Sequence, residues 1–138
     1  MLKFRIALAD DIETILQLWK DAGSVPSVTD TADDIRRMVT RESTAFILAL
    51  YNDVIVGSII AAFDGWRGNI YRLSVHPQFR RRGIARALVS EAEAIFAQWN
   101  VKRVSALVVR DHTWAMGFWQ AAGYVLDDQD ARFHRDLD

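Results

Sequence analysis

The stretch from Ile70 to Trp99 constrains the fold of this chain most, because it runs a short apolar segment, a basic turn and a long amphipathic pattern together without a break. Ile70-Tyr71-Arg72-Leu73-Ser74-Val75 is rich in aliphatic and aromatic residues and stops at His76-Pro77, where proline has no N–H to give a sheet. It reads as a buried strand. Past the turn at 78–85, Ile84, Leu88, Ala92, Ile95 and Trp99 recur at steps of four, four, three and four, the spacing of one helix face, so this helix packs on the sheet. The start of a helix presents unsatisfied N–H groups and a partial positive charge. Gly83 at the bend lets a ligand approach the backbone, and Arg80, Arg81, Arg82 and Arg86 add cations whose planar forks match phosphate oxygens. The segment is built to hold a polyphosphate. A solvated arginine patch is the plainer alternative, but the run sits at the one turn where backbone dipoles also converge.

With 138 residues the chain forms one domain, 1–138, and a net charge of −1 provides no overall field for nucleic acid or a membrane surface. The arginines act locally. There is no cysteine, which excludes disulfides, thiolate metal sites and a thiol nucleophile, and no metal ligation is expected. The first residues lack a long apolar core and no stretch nears the roughly 20 apolar residues of a membrane span, so a cytoplasmic protein without membrane partners is expected.

In chain order, Leu2, Phe4 and Ile6 alternate with Lys3 and Arg5 as a half-buried strand over 2–7. Asp10, with Glu13 three residues on, is placed to cap a helix whose stripe is Ile12, Ile15, Leu16 and Trp19 and which ends at Gly23. After a loop at 24–30, Thr31 caps a second helix carrying Ile35, Met38 and Val39. The apolar runs 45–51 and 54–63 flank Asn52-Asp53, a two-residue hairpin turn. Beyond the long helix, Asn100 breaks the pattern. A buried strand over 102–109 then pairs parallel to the strand at 70–75, because the helix between them supplies the crossover. A helix over 112–122 ends at Gly123, and 124–126 with 132–137 form a last hairpin.

Leu73-Ser74-Val75-His76-Pro77 followed by Arg80-x-x-Gly83-x-Ala85 resembles the acetyl-coenzyme A signature of the GNAT N-acetyltransferases. Asp64-Gly65-Trp66-Arg67-Gly68 and Gly117-Phe118-Trp119-Gln120-Ala121-Ala122-Gly123-Tyr124 extend the likeness to the small bacterial YpeA-type members. The resemblance implies a mixed α/β fold: a mostly antiparallel sheet of six to seven strands with about four helices, in the order β-α-α-β-β-β-α-β-α-β-β. It also implies transfer of an acetyl group from acetyl-coenzyme A to a primary amine, of a small molecule or a peptide, by direct attack in a ternary complex, and often a homodimer.

By that resemblance the backbone and side chains at Arg80, Arg81, Arg82, Gly83, Ile84, Ala85 and Arg86 hold the cofactor's pyrophosphate. Main-chain N–H groups at Leu73, Ser74 and Val75 polarise the acyl carbonyl where two parallel strands splay. The family's usual tyrosine acid is replaced by Trp119, whose N–H is no practical acid, and its upstream asparagine by His112. The candidates for proton handling are Asp64, Tyr71 and His112, with Asp111 beside them. Trp66, Arg67 and Trp119 are candidates for the acceptor's surroundings, with core packing the alternative for Trp119 and a sheet-edge position for Trp66. A non-catalytic acyl-coenzyme A binding module is the alternative function, separated from the enzyme by thioester turnover.

Overall fold

The computed structural model describes residues 1–108 and 113–137, so the candidates Asp111 and His112 lie outside the described residues. It contains two compact units, Met1–Ala106 and Leu107–Asp138. The first holds β1 (Leu2–Ile6), α1 (Ile12–Asp21), α2 (Ala32–Val39), β2 (Thr44–Tyr51), β3 (Val54–Phe63), β4 (Gly68–Val75), α3 (Ile84–Gln98) and β5 (Val104–Ala106). The second holds α4 (Thr113–Ala121).

The five strands lie in sequence order, antiparallel from β1 to β4 and parallel between β4 and β5. The fold class is the expected mixed α/β. Asn52 and Asp53 take φ of 49° and 68°, so the β2–β3 connection is a two-residue turn of the primed kind whose twist suits the flanking strands. Phe46, Leu48 and Ile60 face α1 and α2 in one apolar cluster with Ile12, Ile15, Leu18, Trp19 and Ile35. The alternate positions face α3. A Cβ on Gly57 would lie 3.0 Å from Leu88 and 3.4 Å from Ala49, and one on Gly68 only 2.7 Å from Phe96, so β3 and β4 approach α3 at glycines.

Three helices end alike. Ser24 N–H returns to Trp19 O, Val101 N–H to Phe96 O and Tyr124 N–H to Trp119 O, each across a left-handed residue (Gly23, Asn100 and Gly123), which satisfies carbonyls the helix leaves open.

Several expectations need correction. Among the described residues there are five strands, with β5 only three residues long and no strand in 124–126 or 132–137. A strand exists only by sharing hydrogen bonds with a partner. The tail interrupts its apolar residues with Asp127, Asp128 and Asp130 and leaves Val125 and Phe133 exposed, so it has little to bury. In α1 the buried stripe includes Leu18, with Leu16 only partly covered, and α3 buries Val89 and Phe96 where Ile95 and Trp99 were expected. Ile6 is exposed and Ala7 takes its core position.

Asp11, not Asp10, organises the entry to α1. Its carboxylate accepts from Leu8 N–H at 2.8 Å and takes both forks of Arg5, at 2.7 and 2.9 Å. The Arg5 hydrogen bond is the largest influence holding its carboxyl below the usual range. A carboxyl depressed on folding stabilises above its unfolded pKa and loses that contribution as pH falls through the folded one. Asp11→Ala is therefore expected to cost about 1 kcal/mol at neutral pH, with the gap closing below about pH 4. Urea denaturation of both proteins at neutral and acid pH measures this, and an equal gap at both would refute it.

Candidate active site

The site is built where β4 leaves β5. Their ladder pairs Gly68 with Val104, Asn69 with Ser105 and Ile70 with Ala106, and no pairing continues beyond Ile70 among the described residues. The other side of β4 stays paired to β3 through Val75. His76 N–H donates to Val56 O on that side, at 2.8 Å. Since successive N–H groups of a strand alternate in direction, those of Val75 and Leu73 face the unpaired edge. Among the described residues these two N–H groups have no β5 partner.

The β3–β4 register shifts between Ser58 and Ile60, because Arg72 bulges out of the ladder with a left-handed φ of 52°. For a residue other than glycine this conformation costs roughly 1–2 kcal/mol. Its surroundings hold it there. Arg72 Nη2 lies 2.7 Å from each carboxylate oxygen of Asp30, and its guanidinium sits 4.9 Å from the Trp19 ring. Ser58, fully buried in β3, accepts from Trp19 Nε1 at 3.0 Å and donates to Arg72 O at 2.9 Å. Ser74 Oγ is 3.0 Å from Ser24 Oγ. Sequence reasoning missed Asp30, Ser58 and Arg72. Their signal was present as a guanidinium and a hydroxyl inside otherwise apolar strand patterns.

Beyond β4 the chain turns through Pro77–Phe79 into α3, with Arg81 at φ 64° and Gly83 at φ 78°. Gly83 caps α3 without a side chain, and the first α-type bond of the helix is Ala87 N–H to Gly83 O. The N–H groups of 81–86 meet no acceptor among the described residues. A Cβ on Gly83 would touch nothing within 4 Å, so space is open in front of this row of donors. Arg80 and Arg82 have protein partners. Arg80 donates to Ala22 O at 2.9 Å, and Arg82 lies over Phe79 and Tyr51, at 5.0 and 5.6 Å. Arg81 and Arg86 are exposed, with no protein partner among the described residues. An elongated anion fits this cradle of amides and guanidinium groups.

Next to β4 lies a groove of about 520 Å³, lined by Asp34, Arg37, Met38, Arg41, Phe63, Asp64, Asn69 and Tyr71 among others. Asp64 Oδ1 accepts from Arg67 N–H and Trp66 N–H, both at 2.8 Å, and these bonds hold its exposed carboxyl below the usual carboxylate range. Trp66 is largely exposed, with the Arg67 guanidinium 4.1 Å from its ring. In the second unit, Trp119 is buried and meets Tyr124 edge-on at 4.8 Å, with Phe118 at 5.4 Å on the same helix.

The whole arrangement matches a known family. The model of the GNAT acetyltransferase family matches residues 12–124. This chain belongs to the GNAT acetyltransferases. An acetyltransferase of Pectobacterium atrosepticum is 33% identical over 127 residues, covering 92% of this chain and 90% of that protein. PaiA N-acetyltransferase of Thermoplasma acidophilum, solved in complex with coenzyme A, has the same fold with a TM-score of 0.86 at 17% identity, over 94% of this chain and 93% of that one. An aminoglycoside 6′-N-acetyltransferase of Acinetobacter haemolyticus superposes with a TM-score of 0.81 at 16% identity, over 99% of each chain. As a GNAT protein the chain is an acyltransferase, and none of its described helices is long and apolar enough to cross a membrane.

Proposed function

We propose that this chain transfers an acetyl group from acetyl-coenzyme A to a primary amine by direct attack, with both substrates bound together in one domain, 1–138. One observation carries the reading: the β4 edge, unpaired among the described residues, runs within a single turn into the amides that open α3, which likewise meet no described acceptor. Those amides, from Arg81 through Ala85, hold the pyrophosphate, with the Arg81 and Arg86 side chains as counter-charges. Acetyl-coenzyme A supplies an acyl thioester already activated for transfer. Leu73 N–H faces its carbonyl oxygen as the oxyanion donor, where one such donor is worth roughly 2.7–4 kcal/mol, and Val75 N–H, nearer the 80–86 loop, is left for the coenzyme arm between thioester and pyrophosphate.

The groove beside β4 receives the amine. Asp64, kept ionised by its two N–H bonds, pairs with the incoming ammonium, and the stacked Trp66 and Arg67 follow it in the same turn. Tyr71, the other proton-handling candidate lining this groove, takes the proton that the attacking ammonium gives up, through water. No protein acid is needed for the departing thiolate, because a thiol pKa near 8.5 lets water reprotonate it. Trp119, an aromatic neighbour of Tyr124, needs no proton role.

The test is thiol release from acetyl-coenzyme A in the presence of a panel of primary amines, with aminoglycosides included because a structural neighbour acts on them. Turnover with at least one amine is expected. Cofactor binding without turnover on any amine would favour a binding module instead. For Asp64→Asn, acceptor KM is expected to rise about tenfold with acetyl-coenzyme A affinity unchanged; an unaltered KM would remove Asp64 from the acceptor site.

A further inference from the structure

Arg72 is a costly residue for its position. A left-handed bulge suits glycine or asparagine better than arginine. An ion pair whose side chains are only 18% and 20% exposed is a weak source of stability next to apolar residues of the same size. Ser58 is equally unexpected, a hydroxyl with no solvent exposure among Val56, Ile59 and Ile60. The two meet at one peptide unit. Ser58 Oγ–H donates to Arg72 O, and the N–H on the opposite side of that rigid, trans plane belongs to Leu73. Holding the Arg72 carbonyl toward β3 therefore turns Leu73 N–H outward, to the edge that β5 leaves unpaired.

Two restraints hold the plane, and Trp19 takes part in both. Trp19 Nε1 donates to Ser58 Oγ, so the Ser58 hydroxyl proton is left for Arg72 O. The Arg72 guanidinium, between Asp30 and the Trp19 ring, prevents the bulge from rotating. Asp30 also closes its own turn, its Oδ2 accepting from Ser27 N–H at 3.0 Å, which ties this anchor to the 24–30 loop. Resting on the reading of the β4 edge as the group that polarises the acyl carbonyl, we infer that Ser58 and Arg72 are positioning residues that aim Leu73 N–H at the thioester oxygen. Neither touches the substrate.

The deciding measurement is the carbonyl carbon resonance of [1-¹³C]acetyl-coenzyme A bound to the wild type and to Ser58→Ala and Arg72→Gln. It reports carbonyl polarisation without any amine. Wild type is expected to move the resonance downfield on binding. Both variants are expected to bind with Kd within about threefold of wild type, while the shift falls to less than half and kcat for amine acetylation drops roughly 10- to 100-fold. A structural role alone would lower thermal stability and leave the bound shift intact, and that result overturns the inference. Should either variant fail to fold, Asp30→Asn removes charge from the same lock at a partly exposed site, and a full wild-type shift there overturns the inference equally. Absence of acetyl-coenzyme A binding by the wild type would overturn the proposed function itself; binding with no shift in the wild type would overturn only the role of Leu73 N–H and its two positioning residues.

Discussion

Changing Arg82 to glutamate and Gly83 to proline together is expected to weaken acetyl-coenzyme A binding at least 100-fold, about 2.8 kcal/mol, in a calorimetric titration beside the wild type. Gly83 holds φ at 78°, whereas proline fixes φ near −65°, so the turn into α3 cannot keep its shape. Proline also deletes one of the N–H donors that would face a pyrophosphate. Glutamate at 82 places a negative charge beside the same row of amides and abandons the Arg82 stack on Phe79 and Tyr51. The loop is exposed, so most of the loss is expected in affinity. Circular dichroism like that of the wild type would confirm that the variant is folded. Equal affinities for the two folded proteins would remove the 80–86 loop from the cofactor site.

Phe46→Ala is expected to cost about 3–5 kcal/mol, lowering Tm by roughly 10–20 °C. Phe46 is 1% exposed on β2, and its ring stacks on Trp19 at 6.1 Å, within the cluster that joins α1 and α2 to the sheet. Deleting it leaves a cavity under the residue whose indole holds Ser58 and underlies Arg72. The damage therefore reaches the site as well as the core. Thermal unfolding followed by circular dichroism measures the effect, and a loss under 1 kcal/mol would show that the cluster closes over the missing ring.

The elements legible in the sequence were those decided by near neighbours. Asn52-Asp53 is a turn because both residues tolerate positive φ, and Thr31 starts α2 because its hydroxyl reaches Asp34 N–H at 3.2 Å. The signature turn was readable for the same reason, since the glycine, the arginines and the helix start are consecutive. Helix faces were legible only in outline. Leu18 and Phe96 are buried where a sheet surface meets them, which periodicity does not reveal.

From sequence alone, the order of elements through α3, the hairpin and the glycine turn that opens α3 were determined, because each depends on backbone preferences and hydrogen bonds spanning a few residues. The tertiary structure alone decided that β5 stops after three residues and that the tail carries no strand, since a strand is formed only by its partner's hydrogen bonds. It also decided the surroundings of Arg72. Trp19 reaches Ser58 across 39 positions and Arg72 reaches Asp30 across 42, so the contacts around the Arg72 bulge come into being only when α1, its following loop and the sheet have packed together.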